Sequence, residues 1–443
     1  SLMRFVYVTL MYLLAPIAVA VSLWRGLRDR SYWERLGERF GYARTVPASP
    51  SIWVHAVSVG EVQAAAALIR ELKKRHPDVP LVVTTVTPTG AQRVASLFGD
   101  EVHHVYIPYD LPRAVRRFLG RIRPQIAIIL ETELWPNLYH ECGRRQIPLV
   151  LASARISPRS VGRYRRLVSL FRETLSHGIV IAAQTEADAE RFRSIGASPE
   201  RTHVTGNIKF DFDIPAQTRS QGAEFRAQHI GARPVWIAGS THEGEEEAAL
   251  DAHAAVTKEI QDALLILVPR HPNRFDSVRG LLARRGVGFA SRSRERAPQP
   301  GTEVFLVDTL GELLAFYAAS DVAFVAGSLV PIGGHNMLEP AALGLPILSG
   351  PHTFNAEDIA EMFFATGAAR RVGDATELGA AVLAYFREPD ERHTDGEAGR
   401  QIVVANRGAL ARLLALIEPL LGGGTPGVAA ASPDSAGATR ASC

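Results

Sequence analysis

The sequence predicts an α/β protein made of two doubly wound, Rossmann-like domains that face a central cleft, preceded by an N-terminal membrane-anchor helix. Short runs rich in Val and Ile alternate with helical patterns, as expected for parallel sheets with helices on both faces. The alternation is interrupted once, at residues 210–221. A chain of 443 residues can also bury two hydrophobic cores. Open α/β sheets bind ligands at the carboxyl ends of their strands, so a substrate is expected in the cleft.

The predicted strands and domains follow from this pattern. Before the interruption the strand candidates are residues 52–57, 81–86, 103–107, 126–130, 149–152 and 179–183. After it they are residues 235–239, 264–268, 304–307, 322–325 and 346–349. The predicted boundaries are 1–25 for the anchor, 26–212 for the first domain and 213–421 for the second. Residues 422–443 contain little besides Gly, Ala, Ser, Thr and Pro, which predicts a flexible tail.

The N-terminal segment has the length and composition of a membrane helix. Residues 5–24 carry no charge and would form a helix of about 30 Å, the thickness of a bilayer's hydrocarbon core. Only Arg4 precedes the segment, whereas six arginines follow it: Arg25, Arg28, Arg30, Arg35, Arg39 and Arg44. The positive-inside rule then keeps the rest of the chain in the cytoplasm. The alternative, a cleaved signal peptide, is disfavoured because no small-residue cleavage site follows. The sequence leaves open whether the helix crosses the bilayer or lies in one leaflet.

Composition and missing motifs exclude several classes of function. A net charge of +3 is too small for a general nucleic-acid binder, and two cysteines cannot build a disulfide framework. No Walker-type Gly-Lys loop occurs, and no G-x-G-x-x-G follows a strand of the first domain. No H-E-x-x-H or pair of clustered aspartates indicates a catalytic metal. We therefore expect a reaction without a cofactor or a metal.

One motif of the second domain is typical of a nucleotide site. Gly333 and Gly334 allow a ligand to approach the backbone closely, and the helix that follows offers free N–H groups to a phosphate. Glu339, three residues after Asn336, is placed to accept hydrogen bonds from both hydroxyls of a ribose. A capping box with N-x-x-E spacing explains the same two residues equally well.

Three further turns lie at strand ends of this domain. Gly239-Ser240 follows one strand and Arg270-His271 another, which brings a small turn and a cation to the same edge. A third turn, residues 349–355, ends in Asn355. Together these turns predict an anionic nucleotide as the ligand.

Polar turns at strand ends of the first domain are expected to line the opposite side of the cleft. They contain Thr89-Gly90, Glu131, Glu133 and Arg155.

Two basic clusters, residues 113–123 and 155–172, contain five and six arginines. A solvated helix face is the usual explanation for such clusters. Next to a membrane anchor we favour contact with anionic headgroups or a phosphorylated lipid.

Glu61 has two interpretations from the sequence alone. It follows Gly60 where the first predicted strand turns into a helix, a position suited to chemistry. Its S-x-x-E spacing from Ser58 also matches a capping box, in which each side chain satisfies a backbone N–H at the helix start. A carboxylate here is either a catalytic base or a helix cap.

Taken together, eight motifs in order after the anchor resemble the bacterial 3-deoxy-D-manno-octulosonic acid (Kdo) transferase family, over about residues 3–421. These motifs are SVGE, TPTG, ETELWPN, SAR, GNIKFD, PRHP, GGHNMLEPA and GPHTFN. The resemblance implies a glycosyltransferase of the GT-B type that transfers Kdo from CMP-Kdo to the lipid A precursor (lipid IVA) in lipopolysaccharide core biosynthesis. It also implies the cytoplasmic face of the inner membrane of a Gram-negative type of cell, and no metal.

The resemblance also implies roles for individual residues. Glu61 corresponds to the family's general base, which takes a proton from the acceptor hydroxyl, and Glu339 would bind the ribose. The leaving CMP would be stabilised by Arg270, by the Ser240 turn and by the loop that contains Gly333 and Gly334 (the glycine loop), with inversion at the anomeric carbon. Glu131 and Glu133 are further catalytic candidates, since either could orient acceptor or Kdo hydroxyls, but a structural role explains each equally well and the sequence does not choose between them. The candidate contacts to the acceptor or to Kdo are Thr89, Gly90, Arg155 and Asn355.

Two alternatives stay open at this level. A nucleotide-sugar 2-epimerase would share the fold and the ribose-binding glutamate, but would need no membrane anchor. A non-catalytic, membrane-bound nucleotide-binding protein would keep the glycine loop without depending on Glu61. The sequence does not indicate the number of Kdo units transferred, the acylation and phosphorylation that the acceptor requires, the role of the tail or the oligomeric state.

Overall fold

A computed structural model of the chain describes residues 2–44, 46, 50–131, 133–175 and 178–421. These residues form two compact units. Unit 1 contains the described residues up to Ile208 and those from Gly408 onward, and unit 2 extends from Lys209 to Arg407. The predicted tail, residues 422–443, lies outside the described residues.

Unit 1 contains a parallel sheet of seven strands in the order β3-β2-β1-β4-β5-β6-β7. The strands are β1 (Ser51–His55), β2 (Leu81–Thr85), β3 (His103–Tyr106), β4 (Pro124–Leu130), β5 (Leu149–Ala154), β6 (Val180–Ala183) and β7 (Thr202–Val204). The helices are α1 (Leu2–Arg28), α2 (Val59–Arg75), α3 (Pro88–Phe98), α4 (Pro112–Ile122), α5 (Pro136–Arg144), α6 (Pro158–Arg166), α7 (Val168–Leu175) and α8 (Glu186–Ser194).

Both faces of this sheet are buried. Trp53 of β1 packs edge-on against Phe118 of α4, with ring centroids 5.0 Å apart. Its neighbours Ile52 and Val54 point to the opposite face, where they join a second apolar cluster with Val62 of α2. Because successive strand residues face opposite sides, a near-continuous apolar strand is what a doubly covered sheet requires. Each fully buried apolar side chain of this kind contributes about 1.5–3 kcal/mol.

Unit 2 repeats the same architecture, with the strand order β10-β11-β9-β8-β12-β13-β14 and parallel pairing throughout. The strands are β8 (Val235–Thr241), β9 (Leu264–Pro269), β10 (Phe289–Ser291), β11 (Val304–Leu306), β12 (Val322–Val325), β13 (Ile347–Ser349) and β14 (Ala369–Arg371). The helices are α9 (Ala216–His229), α10 (Glu245–Glu259), α11 (Phe275–Arg285), α12 (Leu313–Ala318), α13 (Leu338–Ala342), α14 (Glu357–Thr366), α15 (Ala375–Arg387) and α16 (Pro389–Ala405).

The predicted fold class is confirmed, and each of the eleven predicted strands overlaps an observed one. Three strands were missed: β7, β10 and β14. All three lie at the edges of their sheets and are only three residues long.

The last helix, α17 (Ala409–Leu421), differs from the sequence-based domain assignment, which placed it in the second domain. In the structure it packs on unit 1, where Leu413 and Ile417 join the apolar cluster that contains Val54. The Arg412 guanidinium donates a hydrogen bond to the Thr205 carbonyl of the same unit at 2.9 Å. The apolar face of this helix therefore completes the core of unit 1.

In the middle of each sheet the strand order reverses, between β1 and β4 in unit 1 and between β8 and β12 in unit 2, while in unit 2 the edge strands β10 and β11 are also out of sequence order. At such a switch point the loops after the two neighbouring strands diverge to opposite faces and leave a crevice for a ligand.

Candidate active site

Glu61 lies in the first turn of α2, directly after the switch-point strand β1. The turn between the two is attached to β2, because the Val86 N–H donates to the Val57 carbonyl at 3.0 Å. One carboxylate oxygen of Glu61 accepts a hydrogen bond from the Val57 N–H at 2.7 Å. Among the described residues 50–131, the Ser58 hydroxyl accepts no cap hydrogen bond from the helix start. The reciprocal capping box that the spacing allowed is therefore not formed.

The turn after β4 brings two acidic residues to the same edge of the sheet. Glu131 has a positive φ of 59°, which L-residues adopt rarely, and its N–H donates to the Ala152 carbonyl of β5 at 3.0 Å. Burial raises the pKa of the Glu133 carboxyl, and the nearby Glu131 adds to this rise, whereas a hydrogen bond from Trp135 opposes it. Thr132, between them, lies outside the described residues.

Strained backbone and a desolvated carboxyl are both frequent at functional sites. They occur here beside the Glu61 turn, because β1 and β4 pair directly.

The turn after β2 has a largely structural role. The Thr87 hydroxyl caps α3 by accepting a hydrogen bond from the Gly90 N–H at 3.1 Å. A Cβ at Gly90 would lie 3.0 Å from that hydroxyl, so this residue is confined by packing. Thr89 is exposed, and Arg155 follows β5 with a half-buried side chain. Thr89 and Arg155 are thus the accessible members of the predicted acceptor set in these two turns.

In unit 2, Gly239 and Ser240 form a bulge at the end of β8, where the pairing with β9 shifts register. Ser240 has a positive φ of 61°. A Cβ at Gly239 would lie 2.3 Å from the Tyr317 hydroxyl oxygen, so only glycine fits at this position. The Glu339 charge contributes to the raised pKa of Tyr317, which places the glutamate near the same strand end.

The glycine loop between β12 and α13 is held by its own backbone. Gly333 and Gly334 have φ values of 106° and 81°, and the Gly334 N–H donates to the Gly327 carbonyl at 2.8 Å. The Asn355 side-chain amide donates to the Ile332 and Gly334 carbonyls at 3.1 and 3.2 Å. Asn355, predicted as a contact to the acceptor or to Kdo, thus fixes the shape of this loop.

Asn336 and Glu339 line the same part of unit 2. The Asn336 side-chain oxygen accepts from the Leu338 N–H at 2.9 Å, two residues on, instead of from Glu339. Burial raises the pKa of the Glu339 carboxyl, while a hydrogen bond with the Asn336 side chain lowers it. The N-x-x-E capping box is therefore not the arrangement that forms. A small pocket is lined by residues of this loop, including Gly333, Gly334 and Asn336.

Two buried glutamates that sequence reasoning missed support this site. The Glu245 carboxylate accepts hydrogen bonds from four backbone N–H groups, those of His242, Gly327, Ser328 and Leu329, at 2.8–3.2 Å. It thereby joins the turn after β8 to the loop after β12. The fully buried Glu246 carboxylate forms a two-pronged ion pair with Arg274 at 2.6 and 3.1 Å.

A group of basic side chains surrounds the same strand ends. The Nε2 atoms of His242 and His335 are 2.7 Å apart, and their rings stack with an interplanar angle of 6°. His271 contacts the His242 ring edge-on at 5.4 Å, and the Arg270 charge acts on both rings of the pair. Burial is the main cause that lowers the pKa of both paired histidines, that of His335 to about 4.

At neutral pH the pair is therefore uncharged, with one ring donating to the other. Arg270 supplies a fixed positive charge beside it. Among the described residues, no group of three or more His, Cys, Asp or Glu side chains is arranged to hold a metal ion.

Two parallel sheets, each with polar turns at its switch point, define a two-domain α/β protein of the GT-B class. A family model described as 3-deoxy-D-manno-octulosonic-acid transferase matches residues 34–212. The chain is 40% identical to the 3-deoxy-D-manno-octulosonic acid transferase of Haemophilus influenzae, over 94% of this chain and 99% of that protein. It is 38% identical to the enzyme of Bordetella pertussis, over 95% of this chain and all of that protein. The chain therefore belongs to the Kdo transferase family and is a glycosyltransferase.

Two solved structures are also similar to parts of the chain. The C-terminal CMP-Kdo binding domain of WaaA from Acinetobacter baumannii is 34% identical to the matching part of this chain. The match covers 45% of this chain and 99% of that domain's chain, with a TM-score of 0.39. The UDP-GlcNAc 2-epimerase of Neisseria meningitidis is 15% identical and covers 83% of this chain and all of that chain, with a TM-score of 0.48.

Proposed function

We propose that this Kdo transferase uses CMP-Kdo as donor and the lipid A precursor as acceptor, in lipopolysaccharide biosynthesis, with Glu61 as general base. The observation that carries the proposal is the Glu61 carboxylate at the switch point of unit 1, in a chain that belongs to a Kdo transferase family. The capping box, which was the structural explanation for this residue, is not formed. A carboxylate at the ligand edge of the sheet is placed to act on a bound substrate.

The chemistry requires a base on the acceptor side. A sugar hydroxyl is a weak nucleophile at neutral pH, and a carboxylate within hydrogen-bond reach accelerates its reaction by typically 10²–10⁴-fold. Glu61 takes the hydroxyl proton as the oxygen bonds to the anomeric carbon of Kdo. The bond from that carbon to the CMP phosphate oxygen breaks, and its electron pair leaves with CMP. Attack opposite the leaving group inverts the anomeric centre.

The donor is assigned to unit 2 because the polar groups of this unit suit a nucleoside monophosphate. Arg270 supplies a cation at the end of β9, and the Gly333-Gly334 loop and the Ser240 turn allow close approach of the phosphate. Such groups stabilise the charge that develops on the leaving phosphate without a metal. Glu339 accepts hydrogen bonds from the ribose hydroxyls. The imidazoles of His242 and His335 offer a further donor next to Arg270.

The acceptor is assigned to unit 1, together with the membrane. Among the described residues, α1 is the one helix that is long and apolar enough to cross a membrane by length and composition. Four arginines on α6 are exposed and available to anionic headgroups: Arg159, Arg163, Arg165 and Arg166. The cluster on α4 is partly used within the protein, since Arg116 pairs with Glu141 at 2.9 Å and Arg121 donates to the Ala43 carbonyl. We place the enzyme at the cytoplasmic face of the inner membrane.

The test is direct transfer by the purified enzyme. Detergent-solubilised protein is incubated with CMP-Kdo and tetraacylated lipid A precursor, with and without EDTA, and the mass of the lipid product is measured by mass spectrometry. We expect the mass of one or more Kdo units to be added in both samples, with NMR showing an inverted anomeric configuration. Conversion of a nucleotide sugar without any lipid would instead indicate the epimerase. A requirement for added metal would contradict the proposed leaving-group stabilisation.

A further inference from the structure

One side of the N-terminal helix α1 is half-buried against the rest of unit 1 from one end of the helix to the other. Its half-buried positions recur every three or four residues, singly or in adjacent pairs, from one end to the other: Met3, Arg4, Tyr7, Val8, Met11, Ala15, Ala18, Val19 and Ser22, followed by the buried Gly26. This spacing defines one stripe on a helix, and a stripe of this length requires a partner beside the helix at every turn. At 27 residues the helix is about 40 Å long.

Polar side chains at both ends of this stripe bond to unit 1. The Tyr7 hydroxyl donates to the buried carboxylate of Asp110 at 2.7 Å. Fifteen residues later, the Ser22 hydroxyl lies 3.3 Å from the Tyr109 hydroxyl. Tyr109 and Asp110 are neighbours in one turn of unit 1, while Tyr7 and Ser22 are separated by about 22 Å along the helix axis. The helix therefore lies across this turn instead of projecting away from it.

The end of α1 that a crossing helix would carry to the far side is also bound to unit 1. The Arg4 guanidinium lies 2.5 Å from the His140 Nε2 of α5. Asp110 in turn accepts hydrogen bonds from the Asn137 and Leu138 N–H groups, which open α5. This carboxylate thus connects α1 and the start of α5 inside the folded unit.

The opposite face of α1 is apolar and exposed. Its side chains are between 48% and 79% exposed: Leu2, Phe5, Leu13, Ile17, Leu23, Trp24 and Leu27. At the carboxyl end of the helix, the Arg28 guanidinium lies over the Trp24 ring at 4.8 Å. An apolar face that ends in an aromatic ring and arginines matches acyl chains bordered by anionic headgroups.

We propose that α1 lies in the plane of the membrane, with its exposed face in the acyl region of one leaflet and its half-buried stripe against the rest of unit 1, and does not cross the bilayer. This inference takes one element from the proposed function, namely that unit 1 lies on the cytoplasmic side of the membrane. A crossing helix would place Arg4 about 30 Å away, beyond the hydrocarbon core, and would break its contact with His140. The Tyr7 hydroxyl would then enter the membrane without the Asp110 carboxylate that accepts its hydrogen bond, which is costly. In the in-plane arrangement, each of these polar contacts is kept.

Cross-linking in native membranes tests this geometry. The double variant Arg4→Cys/His140→Cys is made in a Cys443→Ser background, because burial raises the pKa of the remaining Cys142 thiol to about 12 and keeps it unreactive. A short bis-maleimide is expected to link residues 4 and 140, as measured by mass spectrometry of the peptides. The control Leu13→Cys/His140→Cys places the first thiol on the exposed face. We expect at least about tenfold less linkage there, because its geometry forbids simultaneous reaction.

A single variant gives a second readout that leaves the Arg4–His140 contact intact. Leu2→Cys, in the same background, is expected to stay unlabelled by a membrane-impermeant maleimide in intact spheroplasts, because the in-plane helix does not reach the outer face, whereas a crossing helix would expose residue 2 there. Asp78→Cys, on an exposed turn of unit 1, is the reference for the cytoplasmic side. Labelling of Leu2→Cys in intact spheroplasts, or no link between residues 4 and 140, overturns the proposal. Neither readout uses transferase activity, so an inactive protein would contradict the proposed function alone.

Discussion

The Glu61 carboxylate accepts a hydrogen bond from the Val57 N–H, one residue before the position that a capping box would use. The bond orients the carboxylate at the turn between β1 and α2, where the acceptor is proposed to bind. It also separates two roles that the S-x-x-E spacing could not separate. Orientation by the backbone needs only a side-chain oxygen that accepts a hydrogen bond, whereas removal of a proton needs a basic carboxylate.

Glu61→Gln is therefore expected to fold normally and to lose activity. The glutamine carbonyl oxygen can still accept from the Val57 N–H, but the amide cannot take a proton from a sugar hydroxyl. We expect kcat to fall by about 10²–10⁴-fold. The affinity for CMP, measured by calorimetry, should be unchanged, because the nucleotide is assigned to unit 2.

Glu71→Gln on the same helix is the matched control for this substitution. Glu71 forms an ion pair with Arg75 at 2.9 Å on the surface of α2. Solvent screens this surface pair, so its loss has little effect on stability and turnover should stay within about twofold of wild type. Near-normal turnover of Glu61→Gln would show that Glu61 is only structural.

Glu339→Gln tests the ribose contact. The substitution keeps the size of the side chain and its bond with Asn336, but removes the charge that strengthens hydrogen bonds from the ribose hydroxyls. A charge-assisted hydrogen bond is worth about 1.5–3 kcal/mol, which corresponds to roughly 10–100-fold weaker CMP binding. Calorimetric titration with CMP measures it. Glu357→Gln, at an exposed position on α14, should bind CMP as wild type does. Equal affinities for the two variants would exclude a ribose contact by Glu339.

The parts of the fold that the sequence predicted are those with strong local patterns. The central strands are nearly continuous apolar runs, because helices cover both faces of each sheet. The three missed strands are edge strands with polar residues, such as His203 in β7 and Arg370 in β14. Their pairing comes from the neighbouring strand, which a local pattern does not encode. The packing of α17 on unit 1 was missed for the same reason, since its apolar face indicates burial but not the partner.

The roles of the candidate site residues stay predictions, but their positions in the fold can be compared with the sequence. Turns at strand ends identified the glycine loop and Glu61, because parallel topology brings such turns to one edge. Glu245 and Glu246 were missed because acidic residues in a first helical turn normally face solvent and favour the helix dipole. Only the tertiary structure shows four N–H groups converging on Glu245. The positive φ of Ser240 likewise had no signal, since this residue is not glycine.

Gly239→Ala tests the close packing at the end of β8. The new Cβ would lie 2.3 Å from the Tyr317 hydroxyl oxygen, so the tyrosine must move, and the proposed ribose site around Glu339 moves with it. Overpacking of this kind costs about 1–3 kcal/mol, and we expect CMP binding to weaken by about tenfold.

Two comparisons make this result specific. Gly280→Ala adds a methyl group to α11 whose nearest neighbour is the flexible end of Arg284, so binding should not change. Adding Tyr317→Phe to Gly239→Ala removes the nearest clashing atom and should restore part of the affinity. If Gly239→Ala binds CMP normally, the site around Glu339 does not depend on this packing.

The pH dependence of stability is predicted from His55, which is fully buried at the end of β1. Its Nδ1 lies 2.7 Å from the Thr84 hydroxyl oxygen, and burial lowers its pKa to about 3. In the unfolded chain the pKa is about 6.5, so between these values the unfolded state binds a proton that the folded state does not. The free energy of unfolding should therefore fall as the pH drops from 6.5 towards 3, by about 1.4 kcal/mol per unit from this group.

Urea unfolding of the detergent-solubilised enzyme between about pH 6 and pH 4, where the unfolded imidazole is largely protonated and the folded one largely neutral, measures this slope. His104 and His253 contribute in the same direction, because burial also lowers their pKa values, to about 3 and about 4. His55→Asn should leave their contributions in place and flatten the slope by about 1.4 kcal/mol per pH unit, whatever its effect on stability at pH 7. His203→Asn, at an exposed position, should keep the wild-type slope. An unchanged slope for His55→Asn would mean that this imidazole is protonated in the folded protein as readily as in the unfolded chain.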